Sequence, residues 1–399
     1  MEKAICKQLE IKILIYLKKY LLFILSILIS FTSISQSVVN HKDSELISLL
    51  KGKDKLIDLV LDNQDKYHLQ INFTKVDANK NEITLHDYSL NKDKHYFHPA
   101  SLIKLPIAIT SLELFSKFEE DYGIDLNTFV HSETCSCDFN TDKYVNNKMR
   151  PNLDILLREM LIMSNNDAYN FFFNFSGPTY FNRRMKELSL NNIILRNRFY
   201  AGCTNQGANE HGGLYFQKDN SSNKYKIGCI KDSLKTIEQS LYLNYPNSRS
   251  SNVVSLYSIH RLMIQLFYPQ SFNPDFKLFL SSKNLDFLKT TLSSYPNSLP
   301  NYQNIPSHFH KYLMPSAFLN KQNNNIKIYS KNGNAGGYIS DVMFLNDEEH
   351  HVKYFLSVSM LNYKQKSYYK RRVIYTTPGI DVFRKISNVL YEYAKKQTH

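Results

Sequence analysis

The alternation of apolar and polar positions divides the chain into an outer frame of strands and an inner block of helices. Residues 44–62 carry Leu46, Leu50, Ile57 and Leu61 near helical spacing, which predicts one helix. Leu69, Ile71 and Phe73 then alternate with polar residues, Asp77-Ala78-Asn79-Lys80-Asn81 is a turn, and Ile83-Thr84-Leu85 returns as the second strand of a β-hairpin. Helical patterns dominate from about 101 to 315, broken by loops rich in Asn, Ser and Tyr. Leu153 to Leu161 and Val253 to Phe267 are the clearest of them. Strand patterns resume with Ile326 and Ile328, with Val342 and Phe344, and with Val352, Tyr354, Leu356, Val358 and Met360. A last helix starts near 380 and places Val382, Phe383, Ile386, Val389, Leu390 and Tyr393 on one face.

This order predicts an α/β fold: an antiparallel β-sheet flanked by terminal helices, with an all-helical lobe inserted between its strands. The sheet lobe takes residues 44–100 and 316–399, and the helical lobe 101–315. A substrate site is expected in the cleft between the lobes.

The first 35 residues read differently. Lys3, Lys7, Lys12, Lys18 and Lys19 precede the apolar run Leu21 to Ile29, and Ser33 and Ser35 follow. That is the layout of a secretory signal peptide, cut before Gln36, with residues 36–399 as the exported catalytic domain. An uncleaved anchor that also uses Ile11 to Leu17 is the alternative, and only then is the membrane a partner. Periplasm or cell envelope is the expected location. Oxidising surroundings permit disulfides. Cys203 and Cys229 flank a Gly- and Asn-rich segment and are the expected pair. Cys135 and Cys137 stand too close together for an easy bridge, and Cys-Ser-Cys lacks zinc-ligand spacing. His308, His310, His350 and His351 read as surface histidines, so no metal is expected.

Composition narrows the function classes. The 399 residues are 43% hydrophobic and 21% charged, as in a globular protein. The net charge of +13 comes from scattered lysines without a recognition motif, which predicts a basic solvated surface and no nucleic-acid partner.

Three short motifs carry candidate chemistry. Ser101-Leu102-Ile103-Lys104 is one of five Ser-x-x-Lys spacings, but here Leu105, Ile107, Ala108 and Ile109 surround the lysine with apolar neighbours. A buried lysine without a carboxylate tends to lose its proton. On a helix start it can reach the serine three residues back and take its proton, which makes Ser101 a nucleophile and Lys104 its base. The backbone N–H of Ser101 would meet a developing oxyanion. Ser101 as a mere helix cap, with Lys104 reaching outward, is the alternative. Ser164-Asn165-Asn166 follows the 153–161 helix: the hydroxyl can relay a proton to a leaving nitrogen, and Asn166 can hold a substrate amide. Lys331-Asn332-Gly333-Asn334 is expected at the end of a strand covering 326–330. Lys331 offers positive charge to an anionic substrate, Gly333 permits close backbone approach, and the next N–H is a second oxyanion donor.

Ser-x-x-Lys, Ser-x-Asn and Lys-x-Gly in this order resemble the serine β-lactamases and penicillin-binding proteins, and class A enzymes in particular. The resemblance covers roughly residues 44–396. It implies Ser101 as the acylated nucleophile, Lys104 as base, Ser164 as proton relay, Asn166 as substrate-amide contact, Lys331 as carboxylate anchor, and the N–H groups of Ser101 and Asn334 as the oxyanion hole. No cofactor is implied. The leading expectation is hydrolysis of a β-lactam. The alternatives are a D,D-peptidase or transpeptidase acting on peptidoglycan stem peptides, and a sensor that is acylated and stops. Two departures stand out. Asn332 replaces the family's Thr, and the stretch after Leu188–Arg198 continues as Phe199-Tyr200-Ala201 where class A enzymes carry a deacylating glutamate. Glu210 is the nearest acid, and residues 203–250 read as an insertion.

Overall fold

The computed structural model describes residues 35–78, 82–132, 151–199, 214–217, 224–227, 251–306, 308–319, 325–362 and 379–397. Residues 1–34, which hold all but the last residue of the expected signal peptide, lie outside the described residues, as do Glu210 and all five cysteines with the expected Cys203–Cys229 pair.

The main sheet has six strands: β1 (Ser35–Asn40), β2 (Gln70–Ala78), β3 (Glu82–Leu90), β9 (Ile326–Ala335), β10 (Tyr338–Asp347) and β11 (Val352–Leu361). Their spatial order is β1-β3-β2-β11-β10-β9. The hairpin and the three late strands are antiparallel neighbours, as the alternation predicts. β1 adds a parallel edge to this antiparallel sheet.

Both faces of the sheet are covered. Met343, Leu345, Leu356 and Val358 pack with Leu46 and Leu50 of α1 (Asp43–Leu50), Ile57 of α2 (Lys55–Asp62), and Val382, Phe383 and Ile386 of α9 (Gly379–Lys396). Val342, Phe344 and Phe355 belong to the core of the inserted lobe on the opposite face. Because both faces are covered, β10 runs apolar without a break from Val342 to Leu345.

The helix expected over 44–62 is two helices. The chain breaks at Lys51-Gly52-Lys53, where Gly52 has φ +75°, and restarts at Asp54, whose side chain caps the Leu56 N–H at 2.8 Å. Helical periodicity continues across the break because both helices face the same sheet.

The inserted lobe is built around α3 (Lys104–Tyr122), buried on nearly every side from Lys104 to Leu112. Around it stand α4 (Leu153–Ile162), α5 (Asn166–Ser176), α6 (Pro178–Glu187), α7 (Leu256–Phe267) and α8 (Ser282–Ser293). Arg184 of α6 makes a two-point ion pair with Glu113 of α3, at 2.9 Å in each contact, and both side chains are buried. The lobe is not purely helical. β4 (Phe129–Ser132) pairs with β6 (Leu214–Gln217), which pairs with β7 (Lys224–Ile227), so part of the expected insertion forms a hairpin on this small sheet. β5 (Ile193–Ile194) pairs with β8 (Val253–Val254). The helix expected from Val253 therefore starts at Leu256, where the Ser255 hydroxyl accepts the Ser258 N–H at 3.1 Å. Two valines in sequence suit a strand at least as well as a first helical turn.

Candidate active site

The three motifs converge where the sheet edge meets the inserted lobe. Ser101 lies in a single 3₁₀ turn, Ala100–Ile103, that leads directly into α3. Lys104, the first residue of α3, is completely buried. Its Nζ stands 3.0 Å from Ser101 Oγ, 2.6 Å from Asn166 Oδ1 and 3.3 Å from Ser164 Oγ, and it also contacts the Ser164 carbonyl oxygen. A neutral amine matches this set: two N–H bonds go to the Ser164 and Asn166 oxygens, and the lone pair is left for the Ser101 hydroxyl. Burial drives the Lys104 pKa well below the ordinary lysine value, and the charge of Lys331 adds to the effect. Among the described residues no carboxylate makes an ion pair with Lys104; Asp167 opposes the shift only at a distance.

The Ser164 turn is built by its neighbours. Asn165 caps α5 by accepting the N–H groups of Asp167 and Ala168 at 2.8 and 3.2 Å, and its amide donates to Glu159 at 2.7 Å. Ser164 is held at φ +58°, a conformation that side-chain-bearing residues adopt under constraint. Its carbonyl and its hydroxyl both face Lys104.

Lys331 does not end its strand. β9 continues to Ala335, with Asn332 and Asn334 paired to Asp341 and Ile339, and the turn comes at Gly336-Gly337 with φ +62° and +85°. The extra pairing carries Lys331 into the interior at 1% exposure, with Nζ 3.1 Å from Ser164 Oγ and 3.0 Å from the Asn332 carbonyl. Ser164 Oγ thus stands between two amines. Burial pushes Lys331 down to about 7, opposed by Asp341. Gly333 fits its expected use: a β-carbon there would lie 2.5 Å from the Pro99 carbonyl oxygen and 3.3 Å from Leu102 N. Only a bare backbone lets β9 approach the Ser101 turn this closely.

Sequence reasoning missed three features. Asp341, fully buried, accepts the Leu313 N–H at 3.0 Å and faces Lys311 and Lys331. His310 is not a surface histidine: its Nδ1 is buried, and burial, with Lys331 and Lys104 nearby, pushes its pKa down to about 3. No local pattern marks either residue. The third is the wall opposite Ser164. Asn170 holds Phe199 at both backbone groups, N–H at 2.9 Å and carbonyl at 3.1 Å. The Phe199 ring stacks on Tyr169 at 4.2 Å and lies 5.1 Å from Lys104 Nζ. The Phe199-Tyr200-Ala201 departure contained this signal.

A family model described as "Beta-lactamase enzyme family" matches residues 53–239, a span that contains Ser101, Lys104 and Ser164. No curated protein matches the chain. The fold is similar to that of PBP-A, solved as a point mutant in an acyl-enzyme complex with penicillin G: TM-score 0.51, 16% identity, 89% of this chain and 98% of that one. It is also similar to a β-lactamase from Desulfarculus baarsii: TM-score 0.52, 12% identity, 88% and 97% coverage. A β-lactamase from Sphaerobacter thermophilus follows: TM-score 0.50, 12% identity, 87% and 97% coverage. With the three motifs in family order, the chain is similar over residues 53–239 to the β-lactamase enzyme family, and its fold is similar to those of PBP-A and the β-lactamases.

Proposed function

We propose that the protein acylates Ser101 with a β-lactam or an acyl-D-amino-acid peptide, and that it releases the acyl group slowly, as a penicillin-binding peptidase does. Lys104, neutral at rest, takes the Ser101 proton as Oγ attacks the amide carbonyl carbon. The oxyanion forms against the N–H groups of Ser101 and Asn334. Ser164, between Lys104 and Lys331, passes the proton to the leaving nitrogen as the C–N bond breaks. Lys331 meets the substrate carboxylate, and Asn166 its amide. The penicillin G acyl-enzyme of the PBP-A mutant lends the reading a precedent on the same fold.

The observation that carries slow release is the wall over Lys104. Phe199 and Tyr169 supply aromatic carbon where a water-activating carboxylate would need to stand. This favours the peptidase and sensor alternatives over efficient β-lactam hydrolysis. Mixing the protein with a chromogenic cephalosporin tests it. One stoichiometric burst with a persistent Ser101 adduct by mass spectrometry is expected. Sustained fast turnover refutes slow release, and no reaction at all refutes acylation.

A further inference from the structure

We propose that His98 is a positioning residue for the nucleophile: its neutral imidazole, acting as an acceptor, holds the strained turn that aims the Ser101 hydroxyl at Lys104. This rests on Ser101 being the acylated residue. Ala100, immediately before Ser101, has φ +47°, a left-handed conformation that a residue with a β-carbon keeps only under constraint. The constraint is visible. The Ala100 N–H donates to His98 Nδ1 at 3.1 Å, closing a two-residue ring of the kind an Asx turn makes. The following turn bond, Leu102 N–H to the Pro99 carbonyl at 3.0 Å, then sets the start of α3.

The imidazole is also clamped from the other side. A β-carbon on Gly336 would fall 3.1, 3.2 and 3.3 Å from His98 Cβ, Cγ and Cδ2. His98 therefore fills the gap between the nucleophile turn and the β9–β10 turn, whose strand carries Lys331 and Asn334.

Nδ1 accepts a hydrogen bond only when the ring is neutral with its proton on Nε2. Protonation would set an N–H donor against the Ala100 donor. Burial holds the His98 pKa below the ordinary histidine value, and its own backbone is the one group favouring the cation. Neither Ala100 nor Gly336 brings a titratable side chain, and among the described residues no charged group contributes. The acceptor bond is thus present at neutral pH and lost as pH falls through that lowered value.

The test compares wild type, His98→Asn and His98→Leu in single-turnover acylation by a chromogenic cephalosporin from about pH 5 to 8. An asparagine oxygen accepts an N–H two residues on at any pH. Lys104 is common to all three proteins, so differences between the profiles belong to position 98. The rate of His98→Asn divided by that of wild type should rise from about 1 at neutral pH to about 10 once His98 is protonated, the expected effect of one orphaned buried N–H. His98→Leu should be slower than His98→Asn by about 10-fold throughout, and so slower than wild type by that factor at neutral pH while converging with it once His98 is protonated. A leucine variant as fast as wild type at neutral pH overturns the proposal, and so does a ratio that stays flat through the pH at which ring-nitrogen NMR shows His98 gaining its second proton. Ring-nitrogen NMR of wild type adds a measurement independent of acylation: His98 should carry its proton on Nε2, and a proton on Nδ1 overturns the bond itself. A wild type with the correct tautomer but no Ser101 adduct sinks the acylation reading, and with it the role given to His98.

Discussion

The two sides of the Lys104 amine differ as sharply as any two regions of the molecule. Toward Ser101, Ser164 and Asn166 every neighbour is a polar atom within 3.3 Å. Toward Tyr169 and Phe199 the neighbours are aromatic rings, 5.9 and 5.1 Å away by their centroids. In the proposed function the polar side supplies acyl-enzyme formation, with Ser101 as nucleophile, Lys104, whose pKa burial lowers, as base, the Ser164 hydroxyl as relay and Lys331 as second amine. The aromatic side presents ring carbon to the amine. Forming an ester and hydrolysing it need different surroundings, and here only the first set is built from the described residues.

The largest expected effect removes the polar side altogether. Ser101→Ala should abolish the covalent penicillin adduct seen by intact-protein mass spectrometry; an adduct that survives, or maps to another serine, breaks the comparison at its root. Lys104→Arg comes next. Arginine keeps the charge but cannot lose its proton, so acylation should fall by about 10²-fold or more. A normal rate would show that the lysine acts only as a charge.

The aromatic side is tested by making it polar. Phe199→Glu places a carboxylate beside Lys104 and should shorten the acyl-enzyme lifetime by about 10-fold, an unoptimised base being worth less than an evolved one. Glu210→Gln should leave that lifetime unchanged; a longer lifetime would make Glu210 the deacylating base and restore the β-lactamase reading.

The smallest effect concerns the second amine. Lys331 is pushed down to about 7, so its charge is present below that value and lost as pH rises through it. Binding of an anionic β-lactam, read from the concentration dependence of the single-turnover acylation rate, should weaken by roughly 5-fold between neutral pH and one unit above it. A substrate analogue with its carboxylate esterified should show no such change, and equal behaviour of the two would remove Lys331 from carboxylate binding.

Much of this was legible in the chain. Period-two alternation marked the hairpin and the late strands, and helical spacing marked α4 and α9, because one buried face imposes each period. The apolar setting of Lys104 announced its burial, and so the direction of its pKa shift, before any geometry was known. Boundaries were less legible. A strand and a helix start look alike at Val253-Val254, and the break at Gly52 hides within one continuous amphipathic pattern.

The sequence by itself singled out Ser101, Lys104, Ser164, Asn166 and Lys331 as candidates, because a lysine inside an apolar run and a glycine beside a strand lysine are unusual settings. Only the tertiary structure decided their distances. Ser101 and Lys104 are neighbours along one turn, but Ser164 and Lys331 are 167 positions apart and meet only because α5 packs on α3 and β9 on the Ala100–Ile103 turn before it. The same holds for what faces the amine from the other side. Phe199 becomes a wall over Lys104 through its bonds to Asn170 and its stacking on Tyr169, contacts between segments whose spacing carries no period. Local patterns record what one element buries; which elements bury it, and at what distance, is set by the packing of the whole chain.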